Sequence, residues 1–356
     1  MLSRYQQNPP PAISPHVTVV IAARNEERRI ADCLNSLLAQ DYPDIDIIVV
    51  DDRSDDATGS IAESIAARSG GRLRVLHVTA LPAGWLGKCH AMNLGSELAA
   101  GDYILFTDAD VIFARGALSA AISYAVMERA DMLSVSPEVI MNSFWERVMI
   151  QAFAQLLTLA YPPWRAVSDK SRSFTGVGAF NLVRREAYLK AGGHLSLRLQ
   201  VIDDIGLGKL IKHSGGRLRF ALGDGLLSLR WLESVSGVIR GLEKNAFACM
   251  RYSVFLAIVS LSALMFVSWW PVLGMLAGPP VTRLICAAVY LLLECGIGIA
   301  ATRLMHNNPF YSFMFPVGSL LIAWTVIRSA WITVRNGGVK WRDTFYDLDD
   351  LRRFRL

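Results

Sequence analysis

Three long apolar stretches, at about 253–276, 281–301 and 310–334, constrain this chain more than any other feature. Each reaches the roughly 20 residues needed to span the ~30 Å hydrocarbon core of a bilayer. Trp269, Trp270, Tyr290, Trp324 and Trp331 offer interfacial anchors. A buried helical hairpin in a soluble core is a poor account of three such runs in series. Hydrophobic residues make up 53% of the 356 residues, and the excess collects after Tyr252. What precedes Tyr252 reads as a water-soluble α/β protein.

The formal charge of +5 is modest. Basic residues gather beside the apolar segments and in the tail, at Arg335, Lys340, Arg342, Arg352, Arg353 and Arg355. That pattern suits an anionic membrane surface rather than a nucleic-acid groove. A membrane is therefore an expected partner, and nucleic acid is not. Cys33, Cys89, Cys249, Cys286 and Cys295 make no C-x-x-C pair, which indicates neither a zinc site nor a disulfide framework. They read as reduced, mostly buried thiols. Residues 1–15 are polar and proline-rich without an apolar h-region, so a disordered start and a cytoplasmic N-terminal domain are expected.

Strand and helix patterns alternate from residue 16 onward. His16–Ala23 (HVTVVIAA) is a nearly continuous β-branched run, as in a buried parallel strand. Arg24-Asn25-Glu26-Glu27 and a helical pattern follow, with Asn25 as the expected N-cap. Ile45–Asp51 and Leu73–Val78 read as strands; Ile61–Ala67 and Lys88–Ala100 read as helices. Such alternation implies a parallel sheet with right-handed crossovers and helices on both faces. Later come a helix at Ala117–Met127, a strand at Met132–Ser136, and an apolar helix at Phe144–Ala160 that lies on a membrane or packs on the sheet. A glycine-led strand at Gly176–Arg184 follows, then a helix at Ile205–His213 and a basic amphipathic helix at Glu233–Arg251.

Tyr103–Asp110 (YILFTDAD) is the central strand of this plan. It ends in two carboxylates one residue apart. Open α/β sheets place ligands at the C-terminal ends of their strands. Residues i and i+2 of an extended segment point the same way. Asp108 and Asp110 can thus converge on one hard cation, leaving it room for phosphate oxygens. Taken alone, the pair is as easily two turn-forming aspartates after a strand.

Six segments give the chain a family resemblance. They are VVIAARNEERRI (19–30), VVDDRSDDATG (49–59), GWLGKCHAMNLG (84–95), GDYILFTDAD (101–110), TGVGAFNLVRREAYLKAGG (175–193) and IDDIGLGKLIKHSGGR (202–217). In this order and spacing they resemble glycosyltransferase family 2, inverting enzymes with a GT-A domain. The resemblance covers about residues 16–250. It is strongest to the membrane-attached members that glycosylate lipids, which also end in a few spans and a tail with a Trp-Arg motif, here Trp341-Arg342.

The resemblance implies a role for each matching residue. Asp52 would accept a hydrogen bond from the nucleotide base, as a carboxylate can from the imide N–H of uracil. Glu26 would lie near the ribose, or serve simply as a first-turn glutamate. Lys88, at a helix start, would approach the donor diphosphate. Asp110 would bind Mg2+ or Mn2+, with Asp108 near the ribose or the ion's waters, so that the ion neutralises the leaving diphosphate. Asp204 would be the general base that takes the acceptor proton, unless it caps its helix. Asp203 stands on the acceptor side where the family carries Glu. Gly176 and Gly178 would let the backbone approach the donor sugar. Arg230 would meet the diphosphate, or be a surface arginine. Leu227–Trp231 keeps only the Arg-Trp of the Q-x-x-R-W found in processive synthases, which favours transfer of a single sugar.

The expectation is a membrane-bound, inverting, metal-dependent glycosyltransferase with two kinds of partner, a nucleotide-sugar donor, most simply a UDP-sugar, and a lipid acceptor. Its domains would be a GT-A catalytic domain at 16–232, an interfacial helix at 233–252, transmembrane or re-entrant helices at 253–335 and a basic cytoplasmic tail at 336–356. It would sit in the cytoplasmic membrane as a multi-pass protein with its catalytic domain in the cytoplasm. Pro316, Gly318 and Arg328 single out the third stretch as bent back rather than crossing, which keeps both ends on one side. A processive polysaccharide synthase and a catalytically idle nucleotide-sugar-binding membrane protein are the alternatives.

Overall fold

The computed structural model describes residues 2–5, 14–223, 225–230, 234–305 and 307–354. Trp231 of the Arg-Trp pair and Glu233 lie outside the described residues. The described chain runs, in order, through β1 (Val17–Ala23), α1 (Ile30–Leu38), β2 (Ile45–Asp52), α2 (Thr58–Ala66), β3 (Leu73–Val78), α3 (Gly87–Glu97), β4 (Tyr103–Asp108), β5 (Val111–Phe113), α4 (Ala117–Met127), β6 (Met132–Ser136), β7 (Glu138–Val139), α5 (Phe144–Ala160), α6 (Pro163–Ala166), β8 (Asn181–Arg184), α7 (Arg185–Lys190), α8 (Asp203–His213), β9 (Leu218–Leu222) and β10 (Leu227–Leu229). Then come α9 (Val235–Cys249), α10 (Val254–Ala277), α11 (Pro280–Leu293), a π-helical turn (Glu294–Gly298), α12 (Ile299–Met305), a 3-10 turn (Pro309–Met314), α13 (Phe315–Asn336), β11 (Gly338–Trp341), β12 (Thr344–Asp347) and α14 (Leu348–Arg353). Two compact units emerge: residues 1–140 with 161–230, and residues 141–160 with 231–355.

The first unit is built on a seven-stranded sheet of order β3-β2-β1-β4-β8-β6-β9. β1, β2, β3 and β4 are mutually parallel, while β8 runs antiparallel to both β4 and β6. β1 is central because VTVVIAA buries both of its faces; five of its seven residues are apolar and fully enclosed. The register aligns Ala23 with Asp51 and Ala22 with Asp108. That brings the carboxylate-bearing ends of β2 and β4 to the same sheet edge. Met92 of α3 packs with Val20, Ile104 and Phe106 beneath this edge. Gly95 lets α3 press close onto Val20, where any side chain would collide. A smaller sheet, β5-β10-β7, lies beyond β4.

The parallel half follows the expected alternation, but four local expectations are corrected. Asn25 does not cap α1. The helix starts at Ile30 after Arg29, with no side-chain cap. Asn25 instead adopts a left-handed φ of 55°, which asparagine tolerates better than most residues. Its Oδ1 accepts from Asp55 N at 2.9 Å and its N–H donates to Ser54 Oγ at 3.0 Å. Glu26 N donates to Thr58 Oγ1 at 2.7 Å, so the loops after β1 and β2 brace each other. The strand expected at Gly176–Arg184 is only β8, because residues 176–180 form a loop. Near the start, Leu2–Tyr5 is an ordered 3-10 turn with Leu2 buried and Tyr5 edge-on to Tyr124, centroids 4.8 Å apart. Apolar side chains there found a partner that composition does not reveal. Finally, α5 falls within the span expected of the catalytic domain, yet it groups with the C-terminal helices.

In the second unit α5 packs against α12 and α13. Gly318 of α13 makes this close, since a Cβ there would meet Ala152 Cβ at 2.6 Å. Gln155 Nε2 donates to Glu294 Oε2 at 2.7 Å and Gln151 Nε2 to the Gly298 carbonyl at 3.2 Å. Among the described residues three helices are long and apolar enough to cross a membrane: Val254–Ala277, Pro280–Gly298 and Pro309–Asn336. The bend expected inside the third is not there. Pro316 occupies the first turn of α13, where its missing N–H has no helical partner to lose, and the helix then runs unbroken for 22 residues. Arg328 is paired, its Nε donating to Glu243 Oε2 at 2.8 Å. The basic tail is folded into the β11–β12 hairpin and α14, with Lys244 Nζ 3.7 Å over the Trp341 ring.

Replacing Asn25 by alanine should remove one loop hydrogen bond and impose a left-handed backbone on a residue that disfavours it. Each costs about 1 kcal/mol. Differential scanning fluorimetry in detergent should show a melting point lower by a few degrees, with Asn25→Gly milder. Equal melting points for wild type and Asn25→Ala would show that the paired loops do not depend on Asn25.

Candidate active site

The acidic and basic residues singled out above sit where strands end and helices begin. Asp52 closes β2, Asp108 closes β4, Lys88 lies in the first turn of α3, and Asp203 and Asp204 form the first turn of α8. Glu26 lies in the loop after β1. Asp110 is in the turn between β4 and β5 rather than in an extended strand, so simple strand alternation is not what aims it. Its carboxyl nevertheless feels the charges of both Asp108 and Glu26.

Lys88 is the hub of one cluster. Its Nζ lies 2.7 Å from Asp108 Oδ1 and 3.7 Å from Asp203 Oδ2. Burial opposes its charge, but Asp108, Asp203 and Asp204 together hold the ammonium protonated well above its usual range. Asp204 Oδ2 accepts from Gly178 N at 2.9 Å, and Oδ1 from Ile205 N at 2.8 Å. The N-cap of α8 is Ile202, with no side-chain cap, while Asp204 Oδ1 holds the first-turn N–H of Ile205 and leaves Oδ2 to the Gly178 N–H. Burial, and next the charge of Asp203, raise Asp204 to about 6, against the pull of Lys88.

Gly176 and Gly178 shape this cluster in different ways. A Cβ on Gly176 would run into the Asp204 carbonyl, so this glycine serves the contact between its loop and α8. Gly208 receives the Thr175 carbonyl in the same way. Gly178 is the glycine that opens the cleft. A Cβ there would lie 2.9 Å from Asp108 Oδ2, 3.5 Å from Asp204 Oδ2 and 3.6 Å from Lys88 Nζ.

The second cluster surrounds Asp110. Its Oδ2 meets Arg29 Nη1 at 3.2 Å. Burial, then Asp108 and Glu26, raise Asp110 to about 7, with Arg29 working the other way. Extending the antiparallel register Leu229↔Val111 by one residue sets Arg230 opposite Asp110. A third cluster adjoins the start of α3. Asp52, only 4% exposed, accepts from Arg53 Nε at 2.8 Å and Nη2 at 3.1 Å, with Arg24 Nη1 3.9 Å away. Gly87, at the start of α3, leaves room for the Asp52 carboxylate. A carboxylate offers about four lone-pair sites, so Asp52 retains capacity for a further donor.

Sequence reasoning found the carboxylates and Lys88 but missed Arg24, Arg29 and Arg53 as their partners. Arg53 carried a local signal, being adjacent to Asp52; Arg29, 81 residues from Asp110, carried none. His90 is buried and held neutral by burial, and His194 is buried against Tyr188. Among the described residues no group of three or more His, Cys, Asp or Glu is arranged to hold a metal ion alone. Asp108 and Asp110 are two hard oxygen ligands in an acidic pocket, a set that suits a divalent cation sharing phosphate oxygens.

The two glycines make a sharp pair of expectations. Gly176→Ala should destabilise the fold by about 1–3 kcal/mol, since backbone must shift. Gly178→Ala should melt near wild type yet bind nucleotide poorly. Fluorimetry with and without UDP separates them; nucleotide binding retained by Gly178→Ala would show that the cleft lies elsewhere.

Comparison with known proteins agrees with this geometry. Residues 18–192 match Glycosyl transferase family 2. The 4,4'-diaponeurosporenoate glycosyltransferase of Staphylococcus aureus (strain MRSA252) is 34% identical over 195 residues, covering 54% of this chain and 50% of that protein. The same protein from strain USA300 matches equally. The chain thus spans about half the length of the curated relatives it matches. Among solved structures, the mannosyltransferase PcManGT from Pyrobaculum calidifontis, in complex with GDP-Man and Mn2+, superposes with a TM-score of 0.56 at 19% identity, covering 92% of each chain. Residues 18–192 thus carry the sequence pattern of glycosyltransferase family 2, on a sheet with the GT-A fold.

Proposed function

We propose that this protein is a membrane-attached, inverting glycosyltransferase that moves a single sugar from a nucleotide-sugar, most simply a UDP-sugar, to a hydroxyl of a lipid-like acceptor. The observation that carries the reading is the cluster of Lys88, Asp108, Asp203 and Asp204 around the opening left by Gly178. It puts a fixed cation and a base-competent carboxylate side by side at the ligand-binding edge of an α/β sheet.

Asp52 accepts from the base, and Glu26 lies toward the ribose. Lys88, the first turn of α3 and Arg230 meet the diphosphate. Asp204, poised near 6, is ionised at neutral pH and takes the proton from the acceptor hydroxyl as it attacks the anomeric carbon. The Gly178 N–H fixes the direction of that carboxylate. Asp203, shorter than the family's glutamate, holds Lys88 on the acceptor side. Mg2+ or Mn2+ held by Asp110 and Asp108 would neutralise the leaving nucleoside diphosphate. The solved neighbour's GDP-Man and Mn2+ and the relatives' 4,4'-diaponeurosporenoate acceptor lend support.

The long apolar helices favour a membrane attachment at 253–335, which would bring the chain to the surface where a lipid acceptor lies. The catalytic domain at 16–232 would then lie in the cytoplasm, and the basic tail at 336–356 would share that face if one of the three apolar helices lies in the interface instead of crossing.

Purified full-length protein, incubated with UDP-sugars, membrane lipids and Mn2+, should release UDP and add one sugar mass to a lipid by mass spectrometry. Ladders of several sugars would favour a processive synthase, and no release at all would favour an idle binder. Asp204→Asn should bind UDP normally and lose turnover by about 10²–10⁴-fold. Normal turnover of Asp204→Asn would end its assignment as base. Because the folded Asp204 is raised to about 6, wild-type turnover should fall as pH drops below 6 and level off above it. A flat profile between pH 5 and 8 would contradict an Asp204 base.

A further inference from the structure

We propose that Arg29 is the resident counter-cation of Asp110, and that a divalent cation must displace its guanidinium before Asp110 can ligate. This rests on the assignment of Asp110 as a metal ligand. Arg29 stands immediately before α1, and Nη1 reaches Asp110 Oδ2 at 3.2 Å across 81 residues of chain. Lys88 does the same for Asp108 at 2.7 Å. Each acid of the D-x-D pair therefore already has a cation.

The charge balance gives this consequences. Glu26, Asp108, Asp110, Asp203 and Asp204 are five carboxylates facing two cations, Arg29 and Lys88, and Lys88 is shared among Asp108, Asp203 and Asp204, so Arg29 is the cation left to Asp110. A bare divalent cation at Asp110 would compete with Arg29 for the same carboxylate and set the guanidinium beside a second positive charge. A nucleoside diphosphate reverses the outcome, because its oxygens give the displaced guanidinium a new anionic partner. Metal and nucleotide thus load together, each raising the other's affinity by one shared factor. Arg29 sets the size of that factor. It is a positioning residue, distinct from Lys88 and Asp204.

The test is Mn2+ binding followed by electron paramagnetic resonance on full-length protein in detergent at pH 8, with and without UDP. Wild type should bind Mn2+ weakly alone and about tenfold or more tightly with UDP, within the usual range of site coupling. Arg29→Met should bind Mn2+ alone about tenfold tighter than wild type and lose most of the coupling. Arg29→Lys, which keeps the charge, should behave as wild type, and circular dichroism checks that both variants are folded. Unchanged or weaker Mn2+ binding by Arg29→Met would overturn the proposal, showing that Arg29 only orients Asp110. Asp110→Asn separates the two readings. If it abolishes Mn2+ binding while Arg29→Met gains none, the Arg29 proposal alone falls. If it leaves Mn2+ binding intact, the metal assignment falls and the Arg29 proposal with it.

Discussion

The part-buried ammonium of Lys88 between Asp108 and Asp203 is the contact on which the site depends. Carboxylates from two distant segments, β4 and the start of α8, could not sit this close without an opposing charge. Their mutual repulsion would neutralise them or push the segments apart. Lys88 is itself set by α3, whose close packing on β1 through Gly95 fixes the height of the helix over the sheet. Backbone bonds extend the constraint: Leu86 N donates to the Arg198 carbonyl at 2.7 Å, tying the approach to α8 onto the start of α3.

Rigidity elsewhere in the first unit comes from backbone held by short polar side chains. Asn25, Ser54, Thr58, Asp56 and Glu27 lace the loops after β1 and β2 into one structure. Binding loops are usually the mobile parts of a fold. Here the loop carrying Glu26 and the one following Asp52 are tied to each other by five hydrogen bonds. On the other side of the cleft, Gly176 and Gly208 let the 175–178 loop and α8 touch backbone to backbone. The base-competent Asp204 and the N–H that orients it are thereby one body.

The second unit solves a different problem, the packing of long apolar helices that leave much of their apolar surface exposed. Small residues and buried polar side chains supply the contacts. Gly274 and Gly278 bring α10 against Cys286 and Thr282 of α11. Ser329 of α13 accepts from Phe247 N at 3.1 Å and donates to the Glu243 carbonyl, joining α13 to α9. Gln151, Gln155, Glu294 and Asn307 form a buried polar seam around the π-helical turn.

The sequence by itself determined the parallel half of the sheet, since β-branched runs and 3.6-residue periodicity are local signals that tertiary contacts here merely reinforce. It also determined which acids and which lysine stand at strand ends and helix starts, and that three helices are long and apolar enough for a bilayer. Tertiary structure alone decided the rest. β8 runs antiparallel and begins at Asn181, because its loop is committed to the contact with α8. Asn25 braces a neighbouring loop instead of capping a helix, because its partners lie 29 and 30 residues away. α5 joins the C-terminal helices, because its apolar face matches theirs and periodicity cannot name a partner. The pairing of Arg29 with Asp110 and of Lys88 with Asp108 was likewise invisible. A charge pair depends on where two distant backbones bring their side chains, and no pattern within either segment records that distance.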